Sequence, residues 1–199
     1  MTTQVIEWGV ASLAMPGQSE SGDRYVVHPS PNRVMVAAID GLGHGPEAAK
    51  AADLAASILT QYAQEPMIAL VKYCHDQLRE TRGVVMSLAV INAVEGDVTW
   101  MGVGNVEGVV VRAAASAHPR QESLLLRGGV LGNQLPSLCA SIIPIMRGDT
   151  LIFVTDGVHR NFADGVSVSD RPQLIADRIL VKYSKGSDDA LVLVARYQN

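Results

Sequence analysis

Carboxylates stand where an apolar run meets a turn at three separate places in the chain. They are Asp40 and Asp156, each followed by a glycine, and the adjacent pair Asp188 and Asp189. A buried strand that ends on a carboxylate presents an oxygen ligand at the rim of its sheet. Acids that gather at one rim must be neutralised by protons or by a cation. Because no cysteine pair or histidine cluster accompanies them, these hard oxygen ligands suit Mg²⁺ or Mn²⁺ better than zinc.

A glycine-rich turn connects Asp40 to the first predicted helix. Three glycines fall within the five positions 41–45, and Pro46 suits the first helical position because its missing N–H would be unpaired there anyway. A glycine turn between strand and helix also occurs in dinucleotide-binding folds. That reading fails here, since Pro46 stands where the third glycine belongs and no second strand with a terminal acid follows about 20 residues later.

The elements that must position these acids are predicted from the period of the apolar residues. Helices are predicted over residues 46–62, 66–79 and 170–183. Strands are predicted over residues 5–15, 24–28, 34–40, 84–94, 98–103, 106–112, 122–127, 138–146, 150–155 and 190–197, and residues 114–121 and 128–137 are predicted to be loops. Because successive strands mostly connect through short turns, the pattern favours an antiparallel α+β fold with helices layered on sheets.

Length and composition predict one globular domain over residues 1–199. The chain has 48% hydrophobic residues and a net charge of −4, so no basic field indicates nucleic acid or anionic lipid. No run approaches the roughly 20 apolar residues of a membrane span, and the N-terminus has no secretory signal pattern. Cys74 and Cys139 lack metal-ligand spacing, and each is expected to be buried. These features predict a cytoplasmic protein with reduced thiols.

Five motifs, taken in their order along the chain, resemble the metal-dependent type 2C protein phosphatases, the PPM family. They are Ser21-Gly22-Asp23, Asp40-Gly41-Leu42-Gly43-His44-Gly45, Gly102-Val103-Gly104-Asn105, Thr155-Asp156-Gly157 and Asp188-Asp189. The resemblance spans nearly the whole chain. The Asp-x-x-Gly-His-Gly form is similar to the bacterial SpoIIE-type branch, and a bare catalytic domain of this length is similar to the stressosome feedback phosphatases within it.

The resemblance implies a four-layer αββα sandwich with a central antiparallel β-sandwich, and a site for two Mn²⁺ or Mg²⁺ ions. By matching position, Asp40 would bridge the ions and the Gly41 carbonyl would bind one of them. Asp156 and Asp188 would bind the other. Such a pair of ions would activate a water for attack on phosphorus and offset charge on the phosphoryl group.

Three further residues receive roles with open alternatives. The resemblance places Asp23 behind a metal-bound water, whereas its local sequence fits a turn carboxylate that bonds its own backbone. Asp189 follows the last matching ligand and is a weaker metal candidate than Asp188. His44 is the candidate to protonate the leaving oxygen, and the alternative is a histidine at a helix start that only bonds the backbone. His159, near Asp156, is a weaker candidate for the same site.

The implied substrates are phosphoserine and phosphothreonine residues on STAS-domain stressosome proteins that are RsbS- or RsbR-like. Removal of their phosphoryl groups would act as negative feedback on stress signalling. Two alternatives stay open: an RsbU-like phosphatase of an anti-anti-sigma factor, and a non-catalytic PPM-like binding module. The complete carboxylate set argues against the binding module. No substrate-binding residue is evident in the motifs. Arg24 and Arg160 are the candidates to contact phosphate, and the alternative for each is a solvated position on the surface.

Overall fold

The computed structural model describes residues 4–199, which form eleven strands and three helices. The strands are β1 (Ile6–Leu13), β2 (Asp23–Ser30), β3 (Arg33–Gly41), β4 (Val84–Asn92), β5 (Asp97–Val103), β6 (Glu107–Val111), β7 (Gln121–Ser123), β8 (Leu126–Arg127), β9 (Ser141–Pro144), β10 (Thr150–Val154) and β11 (Ala190–Tyr197). The helices are α1 (Pro46–Gln61), α2 (Met67–Gln77) and α3 (Pro172–Tyr183).

The strands form two sheets that pack face to face. One sheet has the order β1-β11-β10-β6-β7, and the other has the order β2-β3-β4-β5-β8, with β9 also pairing with β5. Neighbouring strands are antiparallel except for the short β5–β8 pair. Helices α1 and α2 cover the outer face of the β3 sheet, and α3 covers the outer face of the β10 sheet. The predicted four-layer αββα sandwich is therefore confirmed.

The sequence of β3 is continuously apolar because both faces of the strand are buried. Its alternate residues Val34, Val36 and Ala38 belong to the core between the two sheets. The intervening residues Met35, Ala37 and Ile39 belong to the core beneath α1 and α2. Since a strand presents successive side chains to opposite faces, a strand covered on both faces has no position for a polar residue until it reaches the rim. That first polar position is Asp40.

Helix α1 approaches β3 closely because its contact face is made of alanines. A Cβ on Gly41 would lie only 2.1 Å from the carbonyl oxygen of Ala48. Ala48, Ala51 and Ala52 are fully buried. Small residues on both elements let the two backbones pack in near contact, which places the start of α1 directly against the end of β3.

Several local predictions were wrong in their details. The strand predicted over 122–127 is divided between β7 and β8, which belong to different sheets, with buried Leu124 at the crossing. Of residues 138–146, only 141–144 pair with β5. Cys139 is exposed because it precedes that pairing, whereas Cys74 is buried as expected. His75 of α2 is also buried.

Within residues 4–199, no helix is both long enough and apolar enough to cross a membrane.

Candidate active site

An acidic cleft of about 510 Å³ opens where the ends of β3 and β10 meet the turn before β11. It is lined by Asp40, Leu42, Gly43, His44, Val85, Gly104, Asn105, Gly128, Gly129, Val130, Asp156 and Asp188. The structure thus brings together four of the predicted site residues: three carboxylates and His44. It leaves Asp23, Gly41, Asp189 and His159 outside the lining of the cleft.

Asp23 lies behind the cleft, directly opposite Asp40 in the β2–β3 register. Its Oδ2 accepts a 2.8 Å hydrogen bond from the Thr155 hydroxyl, whereas its buried Oδ1 has no partner within residues 4–199. Burial raises the pKa of Asp23 to about 7, with the charges of Asp189, Asp156 and Asp188 acting in the same direction against the Thr155 bond. Asp23 is therefore a buried acid with one unsatisfied oxygen, not a turn carboxylate in solvent.

Asp40 has the most strongly perturbed carboxyl group of the cleft. Burial at the end of β3 raises its pKa to about 9, and the nearby charge of Asp23, followed by those of the other site acids, adds to the effect. No lysine or arginine lines the cleft in the described chain, so nothing in its wall offsets these charges. An acidic group with this environment stays protonated near neutral pH unless a cation is bound.

Asp156 is oriented by two neighbours. The Asn105 side-chain amide donates a 2.8 Å hydrogen bond to its Oδ2, and the Lys185 ammonium donates to its backbone carbonyl. Burial raises the pKa of Asp156, and so does the charge of Asp188, while Lys185 and Asn105 oppose the shift. The side chain is consequently held in one direction at the edge of the cleft.

The adjacent acids Asp188 and Asp189 have different surroundings. Asp189 is buried, and its two oxygens accept 2.7 Å hydrogen bonds from the backbone N–H groups of Met15 and Gly22. These bonds tie the turn before β2 to the start of β11. Asp188 instead lines the cleft. Asp188 therefore has access to the cleft, whereas both oxygens of Asp189 are occupied by backbone donors, and the ranking of Asp188 above Asp189 as a metal ligand stays a prediction.

The glycine after Asp156 is required by this arrangement. A Cβ on Gly157 would lie 1.9 Å from the backbone oxygen of Asp189. Only glycine allows the chain after β10 to pass so close to the turn before β11, and this approach brings Asp156 and Asp188 to the same cleft.

The cleft presents oxygen donors of the kind that the divalent ion implied by the resemblance prefers. Among residues 4–199, no group of three or more His, Cys, Asp or Glu side chains is arranged to hold a metal ion by itself. A Mg²⁺ site does not require such a group, because this ion keeps several waters and takes one or two carboxylates from the protein. The cleft offers carboxylates without a balancing cation, and Asp23 Oδ1 behind it lacks a partner. These residues fit a hydrated divalent cation.

Sequence reasoning missed three residues around the cleft. Thr155 bonds Asp23 and accepts a 2.8 Å hydrogen bond from the Leu191 N–H, and its place in the Thr-Asp-Gly motif was a usable signal. Lys185 lies in a polar turn without any distinguishing pattern. Arg82 lies beside Gly43, and nothing in its local sequence indicates the cleft.

The two arginines that the sequence did put forward are engaged elsewhere. Arg24 forms ion pairs with Asp53 at 2.5 Å and with Glu20 at 3.0 Å. Arg160 pairs with Glu107 at 3.2 Å.

Solved structures that share this fold include PP2C-type phosphatase domains. RsbX in complex with magnesium superposes with a TM-score of 0.85 at 21% identity, covering 97% of this chain and 96% of that chain. The PP2C domain of SpoIIE from Bacillus subtilis superposes with a TM-score of 0.74 at 20% identity, covering 97% of this chain and 63% of that chain. A third structure comes from work on the bacterial stressosome, described as a modular system adapted to control secondary messenger signalling. It superposes with a TM-score of 0.87 at 27% identity, covering 97% of this chain and 100% of that chain.

The model of the family described as stage II sporulation protein E (SpoIIE) matches residues 30–198. The chain therefore belongs to the SpoIIE family of PP2C-type phosphatase domains, which confirms the branch predicted from its motifs. Its relatives include the phosphoserine phosphatase RsbX of Bacillus subtilis strain 168, which is 27% identical over 152 residues, spanning 75% of this chain and 73% of that protein.

Proposed function

We propose that this chain is a single catalytic domain that hydrolyses phosphoserine and phosphothreonine on proteins with the help of Mn²⁺ or Mg²⁺. The observation that carries the proposal is the convergence of Asp40, Asp156 and Asp188 on one cleft with no balancing cation in its wall. The charges of Asp23 and of the other site acids raise the pKa of Asp40 beyond the effect of burial, which suits a carboxylate that two ions would share.

The residues that would hold the ions are those of the cleft and its floor. Asp40 would be the ligand common to both ions, the Gly41 carbonyl would help to hold one of them, and Asp156 and Asp188 would help to hold the other. Asp23, with its free Oδ1, acts from behind the cleft through water. When bound, the ions would supply an activated water and positive charge against the phosphoryl oxygens.

The protein's own groups position the reaction. Asn105 orients the carboxylate of Asp156, Lys185 bonds the backbone carbonyl of the same residue, and Thr155 orients the carboxyl group of Asp23. His44 is exposed on the wall of the cleft, where it can deliver a proton to the serine or threonine oxygen as that oxygen leaves phosphorus. Neither cysteine lines the cleft, and burial raises the pKa of the Cys74 thiol to about 12.

The substrate class that best suits this chain is a phosphorylated STAS-domain protein of a stressosome, RsbS- or RsbR-like, with dephosphorylation acting as negative feedback on stress signalling. Support comes from the relationship to RsbX and from the similarity to a chain solved in stressosome work. An anti-anti-sigma factor offers the same phosphoester chemistry and is the alternative substrate. A binding module without catalysis is the alternative role.

Phosphate release from purified phosphorylated STAS proteins of both kinds tests the proposal. Wild type should release phosphate with Mn²⁺ and lose activity in EDTA. Asp40→Asn should be at least about 100-fold slower, because several kcal/mol of transition-state stabilisation depends on the metal ions. Asp76→Asn, which changes an exposed acid of α2 paired only with Arg79, is the matched control and should retain activity.

The outcomes separate the three readings. Activity that persists in EDTA, or in Asp40→Asn, would refute metal-dependent hydrolysis at this cleft. Faster release of phosphate from the anti-anti-sigma factor than from the stressosome protein would identify the anti-anti-sigma factor as the substrate instead. An inactive wild type that still binds the STAS partner would establish the binding module instead.

A further inference from the structure

Within residues 4–199, the wall of the acidic cleft contains no lysine or arginine that could attract a phosphorylated substrate. A phosphoserine carries a charge of about −1.5 to −2 at neutral pH. The wall of the cleft presents the carboxylates Asp40, Asp156 and Asp188 and no lysine or arginine. Bound metal ions would offset part of this charge, and a cationic side chain beside the cleft would add a direct contact to the phosphoryl oxygens.

Arg82 stands in the required place. It lies in the connection between α2 and β4, and its Nη1 is 2.8 Å from the position that a Cβ on Gly43 would occupy. Gly43 itself lines the cleft next to His44. Gly43 also has a φ of +87°, a backbone conformation that favours glycine. The Arg82 guanidinium occupies the space into which a side chain at position 43 would project.

The backbone that carries Arg82 is held rigidly. The Leu42 N–H donates a 3.0 Å hydrogen bond to the Gly83 carbonyl, which joins this segment to the glycine turn. On the other side of the arginine, the Thr81 hydroxyl donates to the Leu78 carbonyl at 2.7 Å and accepts from the Gly83 N–H at 3.0 Å. The guanidinium is therefore mounted on a fixed segment and not on a free loop.

Arg82 also has no competing partner. Its guanidinium forms no ion pair within residues 4–199, whereas Arg24, Arg79 and Arg160 are each paired with an acid. The charge of Arg82 helps to lower the pKa of the exposed Glu47, although Lys50 has the larger effect on that pKa. A planar guanidinium fork matches phosphate oxygens geometrically, so an exposed and unpaired arginine beside the cleft is suited to that ligand.

We propose that Arg82 binds the phosphoryl group of the substrate from the His44 side of the cleft. This inference rests on the proposed phosphatase function and adds the residue that recognises the phosphate. A hydrogen bond to a charged group contributes enough that its loss should weaken binding by about 10- to 100-fold.

Steady-state kinetics on a phosphoserine peptide with Mn²⁺ provide the first test. Arg82→Ala should raise KM by about 10- to 100-fold with a smaller change in kcat, and Arg82→Lys should recover part of the loss as a point charge. Arg79→Ala removes an exposed arginine from the same region that pairs with Asp76, and it should stay within about 2-fold of wild type. Equal kinetics for Arg82→Ala and wild type would overturn the inference.

Direct binding separates this inference from the phosphatase function. Inorganic phosphate is titrated calorimetrically into the Mn²⁺-loaded wild type and each variant, after thermal melts and Mn²⁺ titrations show that folding and metal affinity are unchanged. Phosphate binding that is lost in Arg82→Ala and kept in Arg79→Ala supports the inference even if the wild type hydrolyses no phosphoprotein. Phosphate binding that is absent from wild type, or equal in Arg82→Ala, refutes it.

Discussion

Asp40 and Asp23 show how position changes the chemistry of identical side chains. Both lie at the rim of the same sheet, opposite each other in the β2–β3 register. Burial raises the pKa of Asp40 to about 9 and that of Asp23 to about 7 from the ordinary value of 3.8. A divalent ion would reverse this preference for the proton, because it stabilises the ionised carboxylates.

These shifts predict a pH dependence for the metal-free protein. The folded state binds the protons of Asp23 and Asp40 more tightly than the unfolded state does. The stability that these protons contribute is complete below the unfolded pKa of 3.8 and is lost as the pH rises toward the folded values of about 7 and about 9. The free energy of unfolding in EDTA should therefore decrease from about pH 5 to pH 8.

Urea unfolding of EDTA-treated protein across that range measures this dependence. Asp40→Asn removes one of the two groups and should flatten the decrease, whereas Asp76→Asn should reproduce the wild-type slope. A wild type whose stability rises over the same range would contradict the assignment of these two acids as buried and proton-binding.

At the scale of secondary-structure elements, the contact of α1 with β3 determines where the glycine turn lies. Gly41 has no room for a Cβ beside the Ala48 carbonyl. Gly41→Ala should destabilise the protein by about 1–3 kcal/mol, because α1 must move away from the sheet. Gly128→Ala is the matched control for stability, since a Cβ there meets no atom within 4 Å. Denaturant midpoints of the two variants should differ clearly, and equal midpoints would show that α1 is free to shift.

Helix α2 is connected to the wall of the cleft through a buried histidine. The His75 Nδ1 accepts a 3.0 Å hydrogen bond from the Gly132 N–H. Gly132 belongs to the 128–137 segment, whose residues Gly128, Gly129 and Val130 line the cleft. The sequence predicted only a loop there, and the structure shows a loop that is fastened to α2.

Replacing this histidine tests the attachment. His75→Leu leaves the Gly132 N–H without an acceptor and should cost about 1–3 kcal/mol of stability, with faster amide hydrogen exchange at Gly132. Lys72→Ala, at an exposed position of the same helix, should change stability by no more than about 0.5 kcal/mol. Unchanged exchange at Gly132 in His75→Leu would show that the bond does not hold the loop.

At the scale of the whole molecule, the acidic cleft joins segments that are distant in sequence. The bond between Thr155 and Asp23 connects residues 132 positions apart, and the bonds of Asp189 to Met15 and Gly22 span 174 and 167 positions. A cation that binds the cleft must therefore stabilise both sheets together and not one local turn.

Thermal unfolding with and without Mn²⁺ measures this coupling. At about 100 times the dissociation constant, the ion should add about 2.7 kcal/mol, which for a chain of this size corresponds to about 5–10 °C in Tm. Asp40→Asn should lose most of the shift, and Asp76→Asn should keep it. An equal shift in Asp40→Asn would mean that the stabilising ion binds elsewhere.

Much of the fold could be predicted because apolar residues recur along the chain with the spacing that a buried helix or strand requires. The apolar run before Asp40 predicted the buried strand β3, and Pro46 predicted the start of α1. The strand predicted over 122–127 was wrong, because its two halves join different sheets and local pattern does not encode that choice.

By itself, the sequence determined the type and order of the elements, the acids at the strand ends, the glycines that follow them and the family to which the chain belongs. These features are local, since periodicity and turn chemistry act over a few residues. Tertiary structure decided which acids share the cleft, why Asp188 faces it while Asp189 supports a turn, and that Arg82 covers Gly43. Those relations depend on how two sheets pack, which brings together residues that no spacing in the sequence connects.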